Sequence, residues 1–244
     1  MRFSSLDQVL ACPGSATIKR DKEKEEAQYP NVKPSRDWGK MVHTWKETGT
    51  IVHPDDDKRE QKLFYNRINK HKLKHIDLWP IDAHHEVPVA YNWRYGYSTI
   101  DFTKPKDWYK RFDDDWVIGT LDTTWTEEDT LVVDDLKTGK WWNKKPTESA
   151  QIVGYGLAAQ SSGIEKPNIK LRVTHWPKYP AKRPPQIEEE TIPVEKLYTI
   201  IPKIKDAMLS TNEFNPSVDN CRFCHGRFNC LFAVTEEEED YGSR

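Results

Sequence analysis

Gly119-Thr-Leu-Asp122 and Val132-Val-Asp-Asp135-Leu-Lys137-Thr-Gly139 are the two segments whose reading decides the fold. Each sits in a run rich in β-branched and aromatic residues. That predicts strands over 117–125 and 130–137, joined by the acidic turn Thr126-Glu-Glu-Asp129. Side chains alternate along a strand, so Asp135 and Lys137 share one face and Asp134 points to the other. If the strands pair through the turn, Asp122 arrives near Asp135. Two carboxylates on a sheet are hard oxygen ligands for Mg²⁺, and a lysine beside them can orient an attacking water and offset developing negative charge. The plain alternative is an exposed salt bridge on a hairpin. Asp134 becomes an alternative ligand if the strand is bulged.

The flanking segments supply further polar groups. Residues 147–160 read as a helix with Gln151 and Tyr155 on one face, placed to hydrogen-bond a phosphate or stack on a base. Upstream, Trp38, Met41, Val42 and Trp45 recur at helical spacing, which predicts a helix over 36–47. Its Gly39-x-x-x-His43-x-x-x-Glu47 pattern puts His43 and Glu47 on one side and leaves room for a neighbouring backbone at Gly39. Taken singly, His43 reads as a structural histidine and Gln151 with Tyr155 as a surface amide beside a core ring.

The remaining elements follow from periodicity and punctuation. Ser4-Ser5 can cap a short helix that Cys12-Pro13-Gly14 stops. Residues 21–36 read as a solvated charged loop, and 55–75 as a polar helix. Residues 86–90 and 95–102 read as a hairpin whose Pro88 favours an edge position. Strands are expected at 169–176 and 187–192 around the proline-rich loop 177–185, then a helix over 194–209. Basic and aromatic residues interleave in Lys137, Lys140, Trp141, Trp142, Lys144 and Lys145, and Lys178, Lys182 and Arg183 lie in the proline-rich loop. Such stretches suit a single-strand channel or a solvated loop with its tryptophans folded back.

The chain has 244 residues, 37 Lys+Arg against 39 Asp+Glu, and a net charge of −2, so composition gives no global basic field. Ten Trp, ten Tyr and eight Phe supply enough apolar surface for a core, which argues against disorder throughout. No apolar run approaches the roughly 18 residues of a membrane span, and Met1-Arg-Phe-Ser-Ser-Leu-Asp7 lacks the apolar region of a signal peptide. The expectation is a cytoplasmic protein without a membrane partner. The four cysteines are Cys12 and the set Cys221-x2-Cys224-x5-Cys230. Reduced thiols in this pattern suit structural zinc or an iron–sulfur cluster if the fold joins the two ends of the chain. His225 could substitute for one ligand of zinc.

In order along the chain, Ser4-Ser-Leu…Ala11-Cys-Pro-Gly-Ser15, Gly39…His43, Gly119-x-x-Asp122, Asp135-Leu-Lys137-Thr-Gly, Gln151-x-x-x-Tyr155 and the three-cysteine segment resemble the PD-(D/E)xK nuclease superfamily in its RecB-like exonuclease branch. The likeness is to members with a four-cysteine 4Fe–4S staple, such as the AddB nuclease domain and CRISPR-associated and phage exonucleases. The resemblance implies an α/β, restriction-endonuclease-like core, a central mixed β-sheet flanked by helices, with terminal helices joined by the cluster. It also implies one nuclease domain over 1–244, divided into a cluster-ligand segment 1–35, a core 36–210, a three-cysteine segment 211–235 and an acidic tail 236–244.

By the same resemblance, His43, Asp122 and Asp135, with the Leu136 carbonyl, would hold one or two Mg²⁺ or Mn²⁺ ions, and Lys137 would position the attacking water. Gln151 and Tyr155 would contact the DNA strand. Cys12, Cys221, Cys224 and Cys230 would ligate the 4Fe–4S cluster, structural Zn²⁺ being the alternative. Glu86 would support the site from its Glu-Val-Pro-Val strand. The implied function is metal-dependent exonucleolytic cleavage of single-stranded DNA or DNA ends in recombination, repair or processing. The alternative is a non-catalytic DNA-binding or scaffold protein that keeps the fold. No Gly-x4-Gly-Lys-Ser/Thr segment is present, so the helicase motor of larger relatives is absent from this sequence. The expectation is then a stand-alone nuclease or one subunit of a larger machine, with a helicase, recombination or CRISPR-associated protein as its partner in the second case.

Overall fold

The structure is a computed structural model that describes residues 1–28, 32–51, 58–104, 107–138, 143–176, 183–222, 224 and 226–234. Its centre is a mixed sheet of six strands in the order β2-β1-β3-β4-β5-β6. These are β1 His84–Asn92, β2 Tyr97–Ile100, β3 Trp116–Glu127, β4 Thr130–Lys137, β5 Asn168–His175 and β6 Gln186–Pro193. All neighbours are antiparallel except β4 and β5, which run parallel with Asp135 opposite Val173. A parallel pair needs a crossover, and helix Ala150–Gln160 supplies it.

The seven helices among the described residues are α1 Leu6–Ala11, α2 Lys22–Gln28, α3 Val32–Thr48, α4 Lys58–Lys70, α5 Ala150–Gln160, α6 Ile200–Leu209 and α7 Val218–Arg222. They cover both faces of the sheet. On one, Leu131 and Val133 of β4 and Leu171 of β5 pack with Leu6 of α1, Ile152 and Leu157 of α5, and Ile204 of α6. On the other, Val132 and Leu136 of β4 pack with Trp38, Val42 and Trp45 of α3 and with Phe64 of α4, Trp79 and Trp176. At about 1.5–3 kcal/mol for each large apolar side chain fully buried, these two layers hold the sheet without covalent staples. Arg67 of α4 places its guanidinium 5.7 Å and 5.8 Å from the rings of Trp38 and Trp176 and donates to the Arg183 carbonyl at 2.9 Å. Burial there lowers its pKa to about 10.

Several elements depart from the sequence expectations for identifiable reasons. The charged stretch 21–36 holds α2 and the start of α3 rather than a loop: Asp21 Oδ1 accepts the Lys24 N–H at 3.0 Å, and Glu23 and Glu25 lie in the first turn. Asp21 is thus an N-cap, and the acidic first turn complements the helix dipole. The polar helix α4 ends at Lys70, with Lys72 at φ 53°, and residues 55–57 of its expected start lie outside the described residues. Strand β1 is interior, not an edge. Its Pro88 is tolerated because its carbonyl accepts the Asp101 N–H just beyond the end of β2, so its missing donor faces no ladder partner.

The crossover helix begins at Ala150 after a 3-10 turn over Pro146–Glu148. The last long helix likewise opens as a 3-10 segment, Val194–Thr199, before α6. Pro202 in the first turn of α6 cannot donate to Tyr198, which stops the α register from running further back. The strands at 117–125 and 130–137 extend to the ranges given, closed by a turn with Glu128 at φ 43°.

Asp134 points away from Asp135, as alternation requires. It is only 1% exposed, accepts from Thr174 Oγ1 at 2.9–3.0 Å and from the Trp79 indole, and lies 3.7 Å from Arg172 Nε. The β4–β5 register is unbroken, so Asp134 is a buried network member and not an alternative metal ligand. Burial raises its pKa to about 6, against the pull of Arg172 and the two hydrogen bonds. A carboxyl with a folded pKa above its unfolded value holds more protons folded than unfolded between the two, so stability falls as pH rises from about 4 to 6. In Asp134→Asn that loss should vanish. Denaturant titrations should show the variant gaining on the parent by up to about 3 kcal/mol across this window, and parallel curves would refute the assignment.

Candidate active site

The strands β3 and β4 part company at the centre of the sheet. Their ladder runs from Glu127 opposite Thr130 to Thr123 opposite Asp134, after which β3 continues against β1 and β4 against β5. Asp122 stands at the head of this notch. Its Oδ2 accepts the Leu136 N–H at 2.7 Å, replacing the ladder bond that the divergence removes. Leu136 thus brings its amide to the site, a contact that the sequence reading, which names its carbonyl, does not include.

Glu86 faces Asp122 across β1 and β3. The ladder pairs His85 with Thr123 and Val87 with Leu121 on either side of it, and Glu86 itself has φ 51°. A left-handed backbone at a non-glycine residue in a strand costs on the order of 1–3 kcal/mol and is characteristic of functional sites. At this residue the carboxylate meets α3. There His43 Nδ1 lies 3.1 Å from Glu86 Oε1 and 3.6 Å from Asp122 Oδ1. Among the described residues, His43, Glu86 and Asp122 form the one group of potential metal ligands whose atoms lie within 4.8 Å of one another. Glu47, expected beside His43, instead pairs with Lys104 at 3.0 Å and is exposed.

Lys46, one turn after His43, lies beneath this group with a fully buried side chain. Its Nζ is 2.9 Å from Glu86 Oε1 and 3.8 Å from Asp122 Oδ1. Burial alone would raise the Glu86 pKa, but the His43 hydrogen bond and the Lys46 charge outweigh it and hold it at about 2. Asp122 goes the other way: desolvation raises its pKa despite Lys46 and His43. His43 is raised, because Asp122 and Glu86 together overcome its own desolvation.

The opposite wall of the notch comes from β4 and α5. Lys137 Nζ lies 2.6 Å from Asp135 Oδ2 and 2.9 Å from Gln151 Oε1, while Gln151 Nε2 donates to Asp135 Oδ1 at 3.1 Å. The three side chains make a closed ring of charge-assisted contacts. Desolvation would lower the Lys137 pKa, but Asp135 reverses the effect and raises it. Tyr155 is 4% exposed, with its ring 5.0 Å from Phe3. Burial raises its pKa, as do Asp135 and Asp122. Gly119 is required beneath it: a Cβ there would come within 2.9 Å of the Tyr155 ring. Gly-x-x-Asp thus couples a flat seat for Tyr155 to the carboxylate three residues on. At Gly39 the close neighbour is the Thr138 hydroxyl, which would stand 3.1 Å from a Cβ, rather than a backbone.

Asp7, absent from the sequence-based site, fixes this wall from outside. Its Oδ1 accepts the Ala150 N–H at 3.0 Å and its Oδ2 the Gln151 N–H at 3.2 Å and the Ser149 hydroxyl at 3.0 Å. Lys144 Nζ is 3.0 Å from Oδ1. A residue of α1 therefore caps α5 across the fold, where Ser149 makes no side-chain cap of its own. Desolvation is outweighed by Lys144 and these N–H donors, which lower the Asp7 pKa. Lys140, Trp141, Trp142, Lys178 and Lys182 of the expected basic track lie outside the described residues.

At the other end of α1, Cys12 lines one small cavity together with Cys221, Cys224 and Cys230. The Asn215 N–H points at Cys12 Sγ at 3.4 Å, and Gly14 N–H donates to the Glu213 carbonyl at 2.7 Å, tying the two ends of the chain together. No three of these thiols converge within 4.8 Å. Zn–S bonds of about 2.3 Å would put tetrahedral sulfurs only about 3.8 Å apart, so the thiols form neither a closed mononuclear zinc site nor a cluster-like arrangement in this structure. His225 lies outside the described residues.

A family model described as the PD-(D/E)XK nuclease superfamily matches residues 3–230. The chain belongs to this superfamily. Among solved structures it is similar to SSO0001, with 11% identity and a TM-score of 0.44 over 96% of this chain and 87% of that one. No curated protein matches it. For a PD-(D/E)XK nuclease, the notch provides what divalent-metal chemistry needs: hard oxygen and imidazole ligands on one wall, a lysine beside a carboxylate on the other. Lys46 has a signal in the sequence, since it falls four residues after Val42 on the apolar face of α3, where a lysine is out of place unless paired. Asp7 has none, because its partners lie some 140 positions away and only the fold brings them together.

Removing the cap should be measurable. Asp7→Ala should lower unfolding stability by about 1–2 kcal/mol in denaturant titrations. Asp7→Ser, a shorter cap, should recover part of it, and an unchanged midpoint in Asp7→Ala would refute the capping role.

Proposed function

We propose that this PD-(D/E)XK nuclease is a metal-dependent DNA exonuclease of the RecB-like branch, acting on single strands or DNA ends. The observation that carries this reading is the notch itself, where His43, Glu86 and Asp122 converge opposite the Asp135–Lys137–Gln151 ring. In this reading His43, Asp122 and Asp135, with Glu86, hold Mg²⁺ or Mn²⁺. When bound, the metal supplies Lewis-acid activation and charge neutralisation at the scissile phosphate.

The chain's own groups do the rest. Lys137, held in place by Asp135 and Gln151, orients the water that attacks phosphorus and offsets the negative charge that develops there. Gln151 reaches the strand directly, whereas the buried Tyr155 supports Gln151 from below. Asp135 is buried at 2% exposure, so its carboxylate is presented only toward the notch.

The cysteine cavity is assigned to a 4Fe–4S cluster held by Cys12, Cys221, Cys224 and Cys230. The support for this assignment is the Cys12…Cys221-x2-Cys224-x5-Cys230 pattern and the single cavity that all four residues line. The group would be structural, joining the segment 1–35 to 211–235 around the core 36–210.

Digestion of DNA labelled separately at each end, with anaerobically prepared protein and Mg²⁺ or Mn²⁺, tests the activity and its polarity. Asp122→Ala and Lys137→Ala should each lower the rate by on the order of 10²–10⁴-fold, and chelation by EDTA should abolish it. Undiminished cleavage by either variant would sink the catalytic assignment. Brown protein with bound iron, lost in Cys12→Ser, is the expected result for the cluster, and colourless protein with zinc would overturn it.

A further inference from the structure

Three carboxylates of the notch, Glu86, Asp122 and Asp135, face three basic side chains, His43, Lys46 and Lys137, and Lys46 is the one without a role in the reading above. It is also the most deeply buried, with no exposed side-chain surface, while His43 and Glu86 are 32% and 28% exposed at the mouth. Its ammonium and the His43 imidazole both approach the same two oxygens, Glu86 Oε1 and Asp122 Oδ1. His43 and Lys46 are three residues apart on α3, so one helical face delivers both.

We infer that Lys46 is a built-in cation that takes the place of a second metal ion, so that this site binds one divalent ion. The inference rests on the metal-dependent reading of the same site. In two-metal sites the ions stand about 3.5–4 Å apart and share carboxylates. On the Lys46 side of Glu86 Oε1 and Asp122 Oδ1, a second ion would meet the Lys46 ammonium, which stands 2.9 Å and 3.8 Å from these atoms. Charge points the same way. With Lys46 and Lys137 in place, one divalent ion already overcompensates the three carboxylates before any phosphate arrives. A second ion would leave a large excess of positive charge in a desolvated notch. Lys46 cannot retreat to solvent, because α3 packs it under Glu86 with Trp45 as its chain neighbour in the apolar core. Lys46 is thus a positioning residue: it acts on the metal through the carboxylates and touches no substrate.

The test is Mn²⁺ binding by equilibrium dialysis and calorimetry on the full chain, paired with thermal melts in EDTA and in Mn²⁺. The parent protein should bind one Mn²⁺ per chain in the notch, and Asp122→Ala should lose it. Lys46→Met should bind a second Mn²⁺, or bind the first at least tenfold more tightly. Its melting temperature should fall in EDTA and recover in Mn²⁺, a metal dependence that simple loss of packing does not produce. Lys46→Gln keeps a donor toward Glu86 without the charge and carries the same expectation should the Met variant fail to fold. Two ions in the parent, or one ion of unchanged affinity in the foldable variant, overturns the inference while leaving the nuclease reading intact. No Mn²⁺ binding by the parent overturns both.

Discussion

Carboxylates cannot be gathered in a protein interior without compensation. Glu86, Asp122 and Asp135 meet in a notch where Asp122 and Asp135 are largely removed from water, so their desolvation and mutual repulsion have to be offset by nearby cations and donors. The opposed pKa shifts record the balance. Glu86 is held low by His43 and Lys46, while Asp122, more desolvated, is pushed up despite them. The elements around the notch can be understood by how each brings a cation or an N–H donor to these groups. The helix α3 delivers His43 and Lys46, β4 delivers Lys137 and the Leu136 amide, and α5 delivers Gln151.

The sheet topology makes this delivery possible. A hairpin alone would have kept β3 and β4 paired and closed the notch. Because β4 pairs onward with β5 in parallel and β3 pairs back with β1, the two strands diverge at Asp122 without leaving the sheet. The parallel step demands a crossover helix over the same face as Asp135 and Lys137, and α5 places Gln151 at its start, directly over the lysine. Thus the connection that topology requires also completes the site. The left-handed backbone at Glu86 belongs to the same arrangement, since it falls where the β1–β3 ladder skips from His85–Thr123 to Val87–Leu121 and where the carboxylate meets His43 and Lys46.

What is legible in the sequence is local. The alternation in β3 and β4 tells Asp134 from Asp135, and the structure sends them to opposite sides, one into a Trp79–Thr174 network and one into the notch. The Gly-x-x-Asp and Gln-x-x-x-Tyr spacings hide a long-range relation, the fit of the Tyr155 ring on Gly119. Spacing says nothing of depth, so it offers Tyr155 as a group for the DNA strand when the ring is buried against Phe3. In 21–36 the density of charge suggests solvation, yet Asp21 followed by Glu23 and Glu25 is a helix start. Lys46 is hidden by its type, since a lysine in a helix usually belongs to the surface, and only its phase against Val42 and Trp38 argues otherwise.

The near-neutral net charge of −2 by itself says little about the partner. The structure changes its meaning, because charges that neutralise one another inside the fold do not project a field. Glu86, Asp122 and Asp135 are largely offset by Lys46, Lys137 and the facing His43, and Asp7 is taken up by α5 and Lys144. The six-residue helix α1 then links two parts of the molecule that the sequence holds far apart. Its first turn presents Asp7 to the start of α5, and its end delivers Cys12 to the thiol cavity. A helix so short has little stability of its own, so its position depends on the contacts at both ends. Whatever orders the cysteine cavity therefore also orders the cap on α5, and with it the glutamine that holds Lys137 against Asp135.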